Sequence, residues 1–438
     1  MPDDLLIAPD AMQRLLHERW VALYADQRPR IDLFHGDVLV PPPPAAAAAL
    51  RELADRAAAP GRGGPDDLEL HRYRSPHLVA PALATATAGW LRRDGIPVVN
   101  ETREVIVGVG VTQLTVALLH EFARAGRTVL FPLPTYTYPL LAAPQAGHPV
   151  RLLRPTGAHA GHRWDLERIR RAVETWPDIG AIFLVNPGNP SGEVLSAEFL
   201  RGLARLVLDH PDLVVIADEI YREMILDGSP FTAAAAVSDA GRAMYARTIT
   251  LRGLAKCYGL AKLRIGVAAA AEELLDRFSL RSFVWFNTAA PSEIDQLVAA
   301  AVLDRTPESY HRSTVRAYRR LFRLVRAEVD RINRAVGVEA VQVVPSAAGS
   351  FALLRLTGFR GRTGPDAATA YHSDAQIAAD LHDRGVALVP GSAFGYPQEE
   401  LLLRLTVTSP EADLRAGLAL LGELTREVVA APRVPAAP

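Results

Sequence analysis

Hydrophobic positions along this chain change period at recognisable points. Met12, Leu15, Leu16, Trp20, Leu23 and Tyr24 recur at helical spacing and predict an amphipathic helix over residues 9–24. Ile31-Asp-Leu-Phe-His-Gly36 reads as a strand entering a turn. Pro41 to Pro44 form a stiff connector, and the alanines after them start a helix through Arg56. Gly61, Gly63 and Gly64 mark a surface loop, and a further helix is predicted from about Ala80 to Asp94. From about Val98 to Leu303, short apolar runs alternate with longer helical stretches. Strands are expected at Val105–Val107, Thr128–Phe131, Val150–Leu153, Ala181–Val185, Leu213–Ala217, Thr248–Leu251 and Ile265–Ala268. Helices are expected at Thr112–Ala125, Asp165–Glu174 and Ala197–Leu208.

Continuous apolar strands separated by helices predict a mostly parallel sheet of the seven-stranded type, sandwiched by helices. Tyr310–Val336 is a long Arg-rich helix with Tyr318, Leu321, Phe322, Val325, Val329 and Ile332 on one face. Strands at Val341–Val344, Phe351–Leu356, Val386–Val389 and Leu401–Val407, with a helix at Asp374–Arg384, then predict a smaller α+β C-terminal domain. The expected fold class is α/β. Residues 1–45 are expected to form an N-terminal arm and part of the small domain, 46–310 the large domain, 311–428 the small domain and 429–438 a disordered tail.

Composition changes this picture little. With 438 residues the chain exceeds what one core usually fills. Hydrophobic residues are 49% and charged residues 22%, an ordinary globular balance. A net charge of -1 gives no electrostatic case for nucleic acid or an anionic membrane. The single cysteine, Cys257, excludes an internal disulfide and fits a reducing compartment, so a cytoplasmic location is expected. No signal peptide and no membrane span are expected. The 12 histidines show no zinc-like spacing, and Ala393 in Gly391-Ser-Ala-Phe-Gly395 stands where a hydrolase elbow needs serine. No metal site is expected.

Chemistry concentrates after the strands, where ligands of such sheets sit. In Leu251-Arg-Gly-Leu-Ala-Lys256 one lysine stands among glycines and small apolar residues, a setting that favours its neutral, nucleophilic amine. Arg264, eight residues on, offers a fork suited to phosphate. A Schiff-base lysine beside such an arginine points to pyridoxal phosphate. Gly108-Val-Gly110-Val-Thr112-Gln113 places a helix N-terminus and a hydroxyl where a phosphate is easily cradled, although Gln113 breaks the dinucleotide fingerprint. Pro134-Thr-Tyr136-Thr-Tyr138-Pro139 offers aromatic faces for a flat ring. Asn186-Pro-Gly-Asn189-Pro-Ser-Gly192 is a rigid turn presenting amides. Asp218, in Ala217-Asp-Glu-Ile-Tyr221, ends a buried strand and needs a cationic partner, for which a pyridinium nitrogen or a structural salt bridge would serve.

These motifs, in this order and spacing, resemble the class I/II aminotransferases of fold type I, over about Ile31 to Val428. The resemblance implies that Lys256 holds pyridoxal 5'-phosphate as a Schiff base and shuttles the proton, and that Asp218 keeps the ring nitrogen protonated. Asn189 and Tyr221 would bond the phenolic oxygen, and Tyr136 would stack on the ring. Val111, Thr112 and Arg264 would bind the phosphate, with Tyr73 reaching that of a neighbouring subunit in a homodimer. Arg404 would take the substrate α-carboxylate, with Gly36, Phe394 and Gly395 on the substrate side. The implied partners are an L-amino acid and a 2-oxo acid. The sequence departs from the family at Gly253 and Ala255, where hydroxyls are usual, and at Lys262, where glycine is frequent. A lyase, decarboxylating deaminase or oxidase acting on an amino-acid-derived metabolite is the alternative activity. Arg281 is a further candidate for pairing with an acidic substrate side chain.

Overall fold

The computed structural model describes residues 5–7, 31–36, 38–58, 68, 79–147, 149–155, 164–288, 290–364 and 370–433. The predicted helix over 9–24, the loop at 60–67 and Tyr73 lie outside these residues.

Among the described residues, eight strands form one sheet. In chain order they are β1 (Leu6–Ile7), β3 (Val105–Val109), β4 (Thr128–Pro132), β5 (Val150–Leu153), β6 (Ile179–Val185), β7 (Val214–Asp218), β8 (Thr248–Gly253) and β9 (Ile265–Ala269). Across the sheet the order is β1-β5-β4-β6-β7-β8-β9-β3. Pairs from β5 to β8 are parallel. β9 runs antiparallel to both its neighbours, and β1 antiparallel to β5. The eighth strand, β1, is the difference from the expected seven. Its two residues are too short a run to register in hydrophobic periodicity.

Both faces of the sheet are covered, as its apolar strands require. Val129 and Phe131 pack with Leu114, Leu118 and Phe122 of helix α3 (Gly110–Arg124). Leu130 and Ile182 face the other way, onto Ile169 of α4 (Leu166–Thr175) and Leu203 of α5 (Ala197–Asp209). Helices α1 (Pro44–Ala58), α2 (Pro81–Arg92) and α6 (Glu293–Arg305) cover Val105, Val107 and Val267 near the β3 edge. Asp165 and Ser196 cap α4 and α5 by accepting first-turn amide hydrogens, as Asp and Ser at these positions favour.

The long helix α7 (Glu308–Val336) leads into a four-stranded antiparallel sheet: β10 (Gln342–Val343), β11 (Phe351–Arg355), β14 (Leu402–Thr406) and β13 (Val389–Pro390). Helix α8 (Asp374–Asp383) carries a capping box at Ser373 and Gln376. The early strand β2 (Ile31–Asp32) pairs in parallel with β12 (Val386–Ala387), so the N-terminal segment is stitched into the C-terminal unit. A last helix, α9 (Glu411–Ala430), packs along α7. The chain is described as far as Arg433. The Arg362 guanidinium donates to the carbonyls of Val429 at 2.6 Å and Ala431 at 2.5 Å, neutralising the negative end of α9, and Arg362 forms a β-bridge with Arg433. No helix among the described residues is long and apolar enough to cross a membrane.

Candidate active site

Parallel strands β3, β6, β7 and β8 all end at one edge of the sheet. The antiparallel β9 begins there, so the residue before it is delivered to the same place. Between this edge and the four-stranded sheet lies a cavity of about 340 Å³. Its wall includes Gly36, Val111, Thr112, Tyr136, Asn189, Asp218, Tyr221, Lys256, Arg264 and Arg404. Of the sequence-predicted site residues only Tyr73 is outside the described chain. Phe394 lies behind Arg404, with the guanidinium 4.9 Å from its ring centre, and a side chain at Gly395 would meet Leu133.

Strand β7 ends on Asp218, which is paired with Val185 of β6 and Leu251 of β8. Asp218 is 5% exposed, and among the described residues its carboxyl accepts a hydrogen bond from Ile220 N at 3.1 Å. Burial, with a smaller push from neighbouring Glu219, raises it to about 7. A cation placed against this oxygen would return it to the ionised form. Asn189 is also buried, and its amide oxygen has no partner among the described residues. Burial holds the Tyr221 phenol protonated, so it is a donor. The Tyr136 and Tyr138 rings stack at 6.1 Å on one side of the cavity.

The opposite end is built for an anion. The amides of Val111 and Thr112 belong to the first turn of α3, where no intrahelical acceptor exists. Arg264, at φ 55°, folds its guanidinium over Gly110, itself at φ 75°. A Cβ on Gly110 would come 2.8 Å from Arg264 Nη2, and one on Gly266 would come 2.4 Å from Val111 N. Two glycines therefore let strand, helix end and arginine close on one point. The same crowding accounts for Gly253: a Cβ there would sit 3.3 Å from both Ile265 O and Val111 Cγ2. Ala255 lines the cavity, while Lys262 is exposed and takes no part in it.

Lys256 rides on a single helical turn, Leu254–Cys257, and its ammonium donates to the carbonyl of Gly36. Arg404 of β14 is 2% exposed. It donates to Phe34 O at 2.6 Å, and the Phe351 ring centre lies 4.2 Å from its guanidinium. The N-terminal segment thus carries acceptors to both cations.

Phe34, His35 and Phe351 line the cavity and were not singled out by sequence reasoning. The first two directly precede Gly36, which was their available signal. Also missed was a buried charge network behind the site. Arg252, 0% exposed, donates to Glu219 Oε2 at 3.0 and 2.7 Å and meets Asp94 at 2.7 Å. Arg222 grips the same Asp94 at 2.5 Å. Burial opposes the Asp94 charge, but the two guanidinia outweigh it and hold it below the usual carboxylate range. An arginine inside the apolar run before Lys256 was the sequence signal, since a buried charge demands a partner. Arg281 binds the carbonyls of Thr102 at 3.4 Å and Arg103 at 2.5 Å and does not line this cavity.

The cavity therefore offers an amine, an anion cradle, an aromatic wall, a carboxylate in need of a cation and a second guanidinium. Comparison with known proteins identifies the family. Residues 28–421 match the profile of the family described as aminotransferase class I and II. The aspartate/prephenate aminotransferase of Thermus thermophilus is 30% identical over 84% of this chain and 85% of its own. The aspartate aminotransferase of Rhizobium meliloti is 28% identical over 73% of each. A crystal structure of the aspartate aminotransferase from Rhizobium meliloti superposes with a TM-score of 0.78 at 22% identity, covering 95% of this chain and 96% of the other. An aromatic aminotransferase from Pyrococcus horikoshii superposes with a TM-score of 0.74 at 22% identity, covering 96% and 99%. The chain belongs to the class I and II aminotransferases and is a pyridoxal-phosphate-type transferase of amino groups.

Proposed function

We propose that this cavity binds pyridoxal 5'-phosphate and moves an amino group from an L-amino acid to a 2-oxo acid, working as a homodimer in the cytoplasm. The observation that carries the reading is the buried Asp218 carboxyl facing the same cavity as Lys256 and the bare end of α3. When bound, the cofactor supplies a carbonyl carbon for the amine and a ring that withdraws electrons. Asp218 would meet the protonated ring nitrogen. Asn189 and Tyr221 would bond the phenolic oxygen, and Tyr136 would cover the ring face. The amides of Val111 and Thr112, with Arg264, would hold the phosphate, and Tyr73 of a second copy would reach it. Arg404 would fix the α-carboxylate bidentately and so set the direction of the Cα–H bond. Lys256 Nζ would take the proton from Cα and return it to the cofactor carbon on the far side of the substrate nitrogen. Gly36, whose carbonyl now holds that ammonium, would border the substrate. The division at residues 46–310 and 311–428 would separate a cofactor unit from a unit that brings Arg404.

The test is a single turnover. Protein loaded with pyridoxal phosphate is mixed with a panel of amino acids that includes aspartate, the substrate in relatives' names, with no oxo acid present. Full conversion of the cofactor to its amine form, with one oxo acid per site, is expected. Ammonia or carbon dioxide released with the cofactor unchanged would overturn the reading.

A further inference from the structure

Arg252 occupies an unusual place. It stands on β8 four residues before Lys256, yet its side chain turns away from the cavity into the far side of the sheet edge. There it is fully buried under Trp90, with its guanidinium 5.3 Å from the indole, and 6.0 Å from the Phe231 ring. Its acceptors are Glu219 and Asp94. Glu219 directly follows Asp218, the last residue of β7, and its carboxyl turns away from the cavity that Asp218 lines. Glu219 Oε1 is bound in turn by Ala234 N at 3.2 Å.

The charges around this point come from several elements. Asp94 follows α2, Arg222 and Glu223 follow Tyr221, and Cys257 and Tyr258 follow Lys256. Two guanidinia, Arg222 and Arg252, face two carboxylates, Asp94 and Glu219. Glu223 stands to one side and takes the Trp90 indole hydrogen at 2.6 Å. Cys257 is buried and donates to Ile220 O at 3.0 Å. A second buried carboxylate one residue from Asp218 would repel its charge unless something cancels it.

We infer that Arg252 is a positioning residue, which by offsetting the charge of Glu219 favours the Asp218 carboxylate as the buried anion that a protonated ring nitrogen meets. The inference rests on the reading of the cavity as a pyridoxal-phosphate site. Arg252 touches neither cofactor nor substrate. Its effect passes through Glu219 to Asp218, so it should be felt by ligands that carry a ring nitrogen and not by those that lack one.

The experiment compares pyridoxal phosphate with its 1-deaza analogue, in which the ring nitrogen is replaced by CH. Dissociation constants of both are measured by fluorescence titration on the full chain, with the phosphate cradle and Lys256 intact. In Arg252→Gln, affinity for pyridoxal phosphate is expected to fall about tenfold, one pH unit's worth of charge at Asp218, with the analogue's affinity changed less than about twofold. The double variant Glu219→Gln/Arg252→Gln removes both charges and is expected to restore the wild-type ratio of the two constants. Glu219→Gln alone keeps the guanidinium and is expected to leave that ratio at or above wild type, which tests the idea even where Arg252→Gln does not fold. Equal losses for both ligands, or no recovery in the double variant, would make Arg252 a brace and overturn the inference alone. A wild type that binds neither ligand would overturn the cofactor reading with it.

Discussion

Asp218 shows most directly how a single residue links fold to chemistry. In the cofactor-free chain its carboxyl titrates at about 7 rather than at the ordinary 3.8, because burial disfavours the charge. The folded state therefore binds a proton that the unfolded chain has lost between these values. Stability from this group is present below about pH 4 and is lost as pH rises through about 7. The loss is at most about 4 kcal/mol, roughly three units at about 1.4 kcal/mol each. Thermal unfolding of cofactor-free Asp218→Asn should lack this decline and exceed wild type above pH 7, while its affinity for pyridoxal phosphate falls. A wild type without the decline would show that Asp218 is ionised by some other partner. Arg404 makes a second case. Its fork is shaped by Phe34 O, Phe351 and Phe394, and a lysine ammonium reproduces neither the plane nor the paired donors. In Arg404→Lys, kcat/KM for amino acids should fall roughly 10- to 100-fold, the worth of a charged hydrogen bond or two. Cofactor affinity should stay the same, since the phosphate and ring contacts are elsewhere.

At the level of elements, the phosphate end of the cavity depends on how closely β9 approaches the start of α3. Gly266 stands opposite Gly253 and Gly108 in the ladder, and its Cα hydrogens face the Gly110–Val111 peptide. A methyl at Gly266 would lie 2.4 Å from backbone atoms, which cannot rotate away as a side chain can. Gly266→Ala should cost about 2 kcal/mol or more in urea unfolding, typical of overpacking, and weaken pyridoxal phosphate more than a phosphate-free pyridoxal. The sequence made such elements legible to different degrees. Buried strands such as Ile179–Val185 announce themselves, because both faces are apolar and turn residues flank them. The motif order Gly110, Asn189, Asp218, Lys256, Arg264 carried the site, because the first four lie at or just after a strand end and Arg264 directly precedes the antiparallel β9. What stayed hidden depends on distant partners. The β1 strand exists only as an edge on β5, and the span from Glu411 to Ala430 was not read as a helix, although it packs Leu414, Leu418 and Leu421 inward. Arg252 was in plain view, but its partners Asp94 and Glu219 come from other elements.

For the whole molecule, the cavity is lined from both the eight-stranded and the four-stranded sheet, which the chain connects more than once. Strand β2 enters the C-terminal unit early, beside β12, and the next four residues then cross to the large sheet. Asp32 fixes this crossing. Its carboxylate accepts from Phe34 N at 2.9 Å and His35 N at 3.0 Å, and pairs with His35 Nδ1 at 2.5 Å. Leu33 is pinned on either side, by its amide to Ala387 O at 3.1 Å and by its carbonyl to Thr406 N at 2.9 Å. The result is that Phe34 O meets Arg404 of the small sheet while Gly36 O meets Lys256 of the large one. An Asx turn at Asp32 thus sets the relation between the carboxylate-binding cation and the reacting amine. Half of the Asp32 side chain is exposed, so its removal should cost the fold no more than about 1.5–3 kcal/mol, the worth of a hydrogen bond to a charged group. Asp32→Ala should therefore fold, bind pyridoxal phosphate like wild type and show a KM for the amino donor raised several-fold, with a smaller fall in kcat. Asp32→Asn, which keeps the turn acceptor, should recover most of the loss. Titration of cofactor and steady-state kinetics on the same preparations separate the two effects. A parallel loss of cofactor affinity would mean that the segment supports the large sheet as a whole, and not the alignment of substrate between Arg404 and Lys256.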